Sequence, residues 1–264
     1  MEKKIITGTI EQNLTISPGI QSLKLGGPEI AESLKAFRPG RFVNVYLEDK
    51  AMLLPRPLSI CRIEKGRLQL VFKVAGEGTA ALARRQSGEK LRLSTPLGQG
   101  FQIENAKGRA ALIGGGVGAA PLVGLAEALH KQGVQTTAVL GFQDQPFLTD
   151  LMQEFCHQVL VATDSGAAGF CGDAVELFQK AAVEADCFFA CGPRPMLKAL
   201  AACCADTPLQ VSLEERMGCG YGACVGCTVR VWEPAEPGRR VIGLKKVCAD
   251  GPVFSGQEVV WDEE

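Results

Sequence analysis

Cys219, Cys224 and Cys227 stand at C-x4-C-x2-C spacing in the loop Glu214 to Cys227, E-E-R-M-G-C-G-Y-G-A-C-V-G-C, and Cys248 follows across a hairpin-like stretch. That is the ligand spacing of a plant-type 2Fe–2S cluster. The interleaved glycines suit it, because the backbone must curl round the cluster and aim N–H groups at its sulfurs. A structural zinc site is the competing reading. Zinc usually pairs one C-x2-C with a second or with histidines, whereas here three cysteines share one loop and the fourth stands alone. A 2Fe–2S centre does one-electron chemistry, so the rest of the chain should say where electrons come from and where they go.

Three further stretches could bind phosphates. Arg56-Pro57-Leu58-Ser59 puts a planar guanidinium fork beside a strand that begins with proline, which suits a diphosphate. Val71-Phe72-Lys73 leads to Gly76-Glu77-Gly78-Thr79. There free N–H groups and the helix dipole would favour an anion at the start of a helix expected over 80–86. Gly114-Gly115-Gly116-Val117-Gly118-Ala119 lies between a buried strand and a helix, where a dinucleotide pyrophosphate binds. Each has a plain alternative: a strand-start proline, an ordinary N-cap, or glycines that permit tight helix–strand packing. Cys191-Gly192-Pro193 stands at the end of another strand, with a plain strand stop as its alternative reading.

The elements that must position these residues fall into three parts. Up to about residue 102, short alternating segments (5–10, 20–25, 42–47, 58–63, 68–73 and 90–93) are punctuated by Gly and Pro, which predicts a small antiparallel barrel. From 107 to 206 strand and helix patterns alternate: strands near 110–113, 136–142, 159–163 and 187–190, helices near 121–131, 146–157, 174–183 and 195–204. A last strand is expected at 209–213, giving a parallel doubly wound sheet. The remainder reads as a small β-rich unit: a strand over 227–232, a surface turn from Glu233 to Gly238, a return over 241–247, and a final strand over 258–261. The division is thus 1–104, 105–210 and 211–264.

Composition narrows the function. The 264 residues are 46% apolar with a net charge of −1, which lends no electrostatic support to nucleic-acid or anionic-membrane binding. Ala110 to Leu129 is apolar, but glycines and Pro121 interrupt it, so a strand, a turn and a helix fit better than a membrane span. MEKKIITGTI holds no apolar run like a signal peptide. Eleven cysteines without a regular disulfide framework point to a reducing cytoplasm. His130 and His157 both fall on predicted helices, away from any acid–base set.

The order R-P-L-S, V-F-K, G-T resembles the FAD-binding barrel of the ferredoxin-NADP reductase superfamily. The resemblance implies that Arg56 binds the diphosphate, Ser59 faces the flavin, and Gly78 and Thr79 hold phosphate. Leu58 stands where such reductases often carry an aromatic. The glycine turn and Cys191-Gly192-Pro193 resemble the nicotinamide module of the same superfamily, with C-G-P beside the nicotinamide. No Arg or Lys lies between Gly141 and Asp150 to meet a 2′-phosphate, so NADH is expected over NADPH.

With the cysteine loop and C-A-D-G-P-V-F, the whole chain is similar to the electron-transfer subunits of class 1B dihydroorotate dehydrogenases. That likeness implies FAD, a 2Fe–2S cluster on Cys219, Cys224, Cys227 and Cys248, and NAD(H). It also implies an FMN-containing catalytic partner in a heterotetramer of two and two, serving pyrimidine synthesis. Hydride would pass between nicotinamide and flavin, and single electrons between flavin and cluster. Met217, Tyr221 and Val225 are expected to form an apolar rim for the partner, with packing under the cluster as the alternative. A related flavin and iron–sulfur subunit, of the sulfide dehydrogenase or ferredoxin:NADP oxidoreductase type, is the second enzyme reading. A zinc-holding binding protein is the third reading.

Overall fold

The computed structural model describes residues 3–47, 52–104, 106–235 and 239–261. Residue 105, where the second division begins, and residues 236–238 of the expected surface turn lie outside them.

Six antiparallel strands close a barrel in the order β1-β2-β5-β4-β3-β6: β1 (Ile5–Ser17), β2 (Ile20–Gly26), β3 (Phe42–Tyr46), β4 (Arg56–Glu64), β5 (Arg67–Lys73) and β6 (Lys90–Ser94). Ile10, Leu23, Val43, Val45, Ile60, Leu70 and Leu93 fill its interior. β1 runs well past the predicted Ile10. Its outer half pairs with β2 but stays largely exposed, so no apolar alternation marks it. A short helix, α1 (Pro28–Ser33), buries Ile30 against the barrel and was not expected. Helix α2 occupies Glu77–Ala83, three residues earlier than predicted. Thr79 Oγ1 accepts the Gly76 N–H at 3.1 Å and closes the first turn around Gly76.

The second sheet has the order β10-β9-β8-β7-β11-β12-β15. Its strands are β7 (Arg109–Gly115), β8 (Gln135–Phe142), β9 (Gln158–Thr163), β10 (Phe170–Cys171), β11 (Cys187–Cys191), β12 (Leu209–Ser212) and β15 (Val253–Ser255). All pair in parallel except β15, which adds antiparallel to β12. Alternation along the buried strands feeds two cores, as a sheet covered on both faces requires. Ala110 and Leu112 pack under α3 (Ala119–Lys131), while Ala111 and Ile113 pack under α5 (Ala174–Lys180) and α6 (Arg194–Cys203). The apolar stretch from Ala110 to Leu129 is thus strand, turn and helix. Among the described residues no helix is long and apolar enough to cross a membrane.

Gly133, at φ 75°, ends α3 as expected: its N–H reaches the His130 carbonyl and that of Val134 the Leu129 carbonyl. Helix α4 covers only Thr149–Phe155, because Leu148 at φ 62° prevents an earlier start. His157 therefore lies beyond it, where its Nδ1 accepts the Thr136 N–H.

After β12 the chain makes the cysteine loop and a hairpin, β13 (Thr228–Pro234) with β14 (Arg240–Lys246). Glu233 and Pro234 belong to β13, not to a turn. The strand expected over 258–261 does not form. Glu258 N–H turns back to the Ser255 carbonyl, and Val259 touches β13 only through a single bridge to Val231. The strand of this region is β15, which precedes the stretch where the final strand was expected.

Candidate functional site

Two places on this scaffold gather polar chemistry, and both use the ends of strands. In the barrel, Arg56 begins β4 and Gly78 lies in the first turn of α2, far apart in sequence. A Cβ at Gly78 would overlap the Arg56 guanidinium. Arg56 also donates to the Leu54 carbonyl at 2.7 Å, which holds the fork in place. The structure thus brings Arg56 against Gly78, with Thr79 beside them closing the first turn of α2, as a cradle edged by a guanidinium. Pro57, Leu58 and Ser59 run half-buried along the same strand, with Leu58 leaning on the barrel core. Val71 and Phe72 differ from expectation, being 3% and 2% exposed and packed into the cores. Only Lys73 of that trio reaches solvent.

The second place is a cleft of about 1000 Å³ between the barrel and the seven-stranded sheet. Gly115, Gly116, Gly192, Pro193, Met196 and Lys73 line it. Gly116 adopts φ 55° and opens a single 3-10 turn, Gly116–Gly118, whose Gly116 and Val117 carbonyls hold the Ala119 N–H where α3 begins. Gly114 sits behind that surface. Its place would put a Cβ 3.0 Å from Leu140 and 3.1 Å from the Ala119 backbone, so it serves strand–helix packing. Cys191 is 1% exposed, also behind the wall. Burial raises its thiol pKa, opposed by a hydrogen bond to Ser212.

The cleft's other lining side chains include Asp144, Asp164, Asp173 and Glu214, none of which the sequence reading singled out as a site. Asp144 follows the end of β8 and Asp164 the end of β9. That topology is the signal available in sequence. Burial raises the Glu214 carboxyl above the ordinary range.

The cysteine loop lies against the barrel. Cys219 Sγ receives the backbone N–H groups of Tyr221 (3.3 Å) and Cys224 (3.5 Å). These donors, Cys224 first, bring the Cys219 thiol down to about 6. Gly220 and Gly222, at φ 73° and 86°, allow the curl. Cys224 Sγ lies 3.4 Å from Cys219 Sγ. Cys227 and Cys248 are both 1% exposed and hydrogen-bonded to each other. Burial first, then that bond, pushes Cys248 up to about 12.

The four thiols therefore stand as two pairs. Among the described residues no group of three or more His, Cys, Asp or Glu converges on one point. A tetrahedral zinc ion wants four donors on one centre, whereas a two-iron cluster takes two thiolates on each iron. The donor set and its pairing fit the cluster.

Of the expected apolar rim, only Val225 is open, at 74% exposure. Met217 and Tyr221 pack inward. Tyr221 hydrogen-bonds the Tyr46 hydroxyl at 2.8 Å. Further exposed apolar residues stand on β14, Val241, Ile242 and Leu244, where no alternation had been read.

Residues 214–260 match the family model for the iron-sulfur cluster binding domain of dihydroorotate dehydrogenase B. A protein of Bacillus caldolyticus, named dihydroorotate dehydrogenase B (NAD(+)), electron transfer subunit, is 41% identical over 259 residues, covering 96% of this chain and 97% of its own. One of the same name from Bacillus cereus (strain G9842) is 39% identical over 84% of this chain and 86% of its own. Among solved structures, a chain of the NADH-dependent reduced ferredoxin-NADP oxidoreductase superposes with a TM-score of 0.83 at 31% identity, over 96% of this chain and 90% of that one. Phthalate dioxygenase reductase, at a TM-score of 0.65 and 18% identity over 86% of each chain, shares the fold. The paired thiols, the cradle and the cleft thus sit in a sequence alike from end to end, and the chain belongs to the family of dihydroorotate dehydrogenase B electron transfer subunits.

Proposed function

We propose that this chain relays electrons between NAD(H) and a catalytic dihydroorotate dehydrogenase subunit that holds FMN, in a cytoplasmic heterotetramer serving pyrimidine synthesis. The observation that carries the reading is the pairing of Cys219 with Cys224 and of Cys227 with Cys248, on a chain that also holds a cleft lined by the Gly115-Gly116 turn and Gly192-Pro193. When bound, FAD supplies the exchange between two-electron and one-electron chemistry, and a 2Fe–2S cluster supplies single-electron transfer.

The residues do the holding. Cys219, Cys224, Cys227 and Cys248 would ligate the cluster. Arg56, Gly78 and Thr79 would take the FAD diphosphate, with Pro57, Leu58 and Ser59 along the flavin. Val71 and Phe72 support that strand from the core, and Lys73 sits at the cleft's edge. Gly115 and Gly116 would admit the NAD pyrophosphate, with Gly114 closing the packing beneath. Gly192 and Pro193 would wall the nicotinamide, backed by Cys191. Asp144 and Asp164 would accept ribose hydroxyls and repel a 2′-phosphate, which favours NADH over NADPH. The labour divides as 1–104 for FAD, 105–210 for NAD and 211–264 for the cluster. The partner would dock where Val225, Ile242 and Leu244 are exposed.

Two features favour this reading over the ferredoxin oxidoreductase type: the match of the cluster domain model, and 41% identity against 31%. A visible spectrum of the purified chain should show flavin and iron–sulfur bands that bleach on adding NADH. Adding an FMN-containing catalytic subunit should then yield NADH-dependent orotate reduction. A colourless protein with one zinc per chain would refute the relay.

A further inference from the structure

Strand β3 alternates its side chains between two environments. Val43 and Val45 point into the barrel. Phe42, Asn44 and Tyr46 point outward, toward the cysteine module: Phe42 joins the core that holds Cys227 and Cys248, and Tyr46 meets Tyr221. Asn44 has no exposed surface. Its Nδ2 donates to the Cys219 carbonyl at 2.9 Å. Its Oδ1 is buried without a hydrogen-bond partner. Its backbone N–H is held by Ser94 Oγ at 2.9 Å. A Cβ at Gly220 would overlap its amide, so the loop rests directly on this side chain.

The register adds the other half. Asn44 stands opposite Pro57, and Phe42 opposite Ser59. Cross-strand partners share a face. Asn44 is therefore one strand from the Pro57–Ser59 segment on one side and one hydrogen bond from Cys219 on the other. A buried amide is costly unless it is bonded, and half of this one is unsatisfied. Its retention needs a positional reason.

We infer that Asn44 is a positioning residue that fixes the Cys219–Cys224 thiol pair at a set height above the flavin strand. It acts through the Cys219 backbone and touches neither cofactor in this account. The inference rests on the proposed cluster ligation. Groups that orient metal ligands typically matter about 10- to 100-fold in affinity or activity, and hydrogen bonding and burial around the sulfurs set cluster potentials.

The test compares Asn44→Ala and Asn44→Asp with Tyr46→Phe, which removes a contact of the same loop but leaves Cys219 bonded. In Asn44→Ala, NADH should bleach the flavin at the wild-type rate while electron passage to the cluster slows about tenfold or more. The cluster's paramagnetic resonance signal and midpoint potential should shift. Asn44→Asp should move the potential to more negative values, because a carboxylate there opposes added electrons. Tyr46→Phe should leave these readouts unchanged. Where a variant loses its cluster, faster amide hydrogen exchange over residues 218–227 in its metal-free form than in metal-free wild type supports the inference, and equal exchange overturns it. Unchanged potential, signal and transfer in cluster-loaded Asn44→Ala overturns it too, as does an equal effect of Tyr46→Phe. Wild-type protein devoid of iron and acid-labile sulfide would sink the cluster reading itself, which keeps the two failures apart.

Discussion

At the scale of single residues, the decisive arrangements are close approaches that only certain side chains permit. Arg56 can lie against the first turn of α2 only because residue 78 has no side chain. Charge-assisted hydrogen bonds of this kind contribute about 1.5–3 kcal/mol, so Arg56→Ala should weaken FAD binding about 10- to 100-fold. Fluorescence titration of the flavin-free protein would measure it. The paired cysteines were legible in sequence because C-x4-C-x2-C spacing in a glycine-rich loop forms a pattern. Asn44 was not, because a lone asparagine in a strand carries no pattern. Its role appears only when the barrel and the cysteine loop meet. Val71 and Phe72 show the opposite case: they sit in a recognisable motif yet spend their side chains on the core.

At the scale of elements, the parallel sheet was readable nearly strand by strand, since buried strands are apolar throughout and glycine turns separate them from helices. What escaped was structure held by pairing alone. The outer half of β1 is exposed, and β15 is three residues long. Neither has a periodicity to detect. Helix α3 shows how elements of different parts lock together. Gly124 faces β4 so closely that a Cβ would come within 2.7 Å of the Cys61 carbonyl. Across the same boundary Arg62 of β4, paired at 2.9 Å with Glu64 of its own strand, reaches Glu154 of α4 at 3.8 Å. Gly124→Ala should therefore force barrel and nucleotide sheet apart, at about 1–3 kcal/mol of stability. A lowered denaturation midpoint, together with slower flavin bleaching by NADH, would register it.

At the scale of the molecule, the functional parts are laid side by side, with the cleft on one flank of the barrel and the cysteine loop on another. The exposed apolar residues Val225, Ile242 and Leu244 belong to the cysteine loop and the β13–β14 hairpin that follows it. Leu244→Asp with Val225→Asp should leave the chain's own NADH-dependent bleaching intact and abolish co-purification with the catalytic subunit. Retained co-purification would move the docking face elsewhere.

The antiparallel addition of β15 to β12 has a consequence for how this protein could be taken apart or rebuilt. A ferredoxin-like tail on a flexible tether could swing, and could be exchanged for another by cutting at the tether. Here the last segment threads back to finish the edge of the preceding sheet. Ending the chain just after β12 would bare that strand's β edge and invite aggregation. The iron–sulfur unit is grafted in, not hung on: chimeras must carry β15 along with their nucleotide domain, and electrons must leave from a fixed surface to which the acceptor comes.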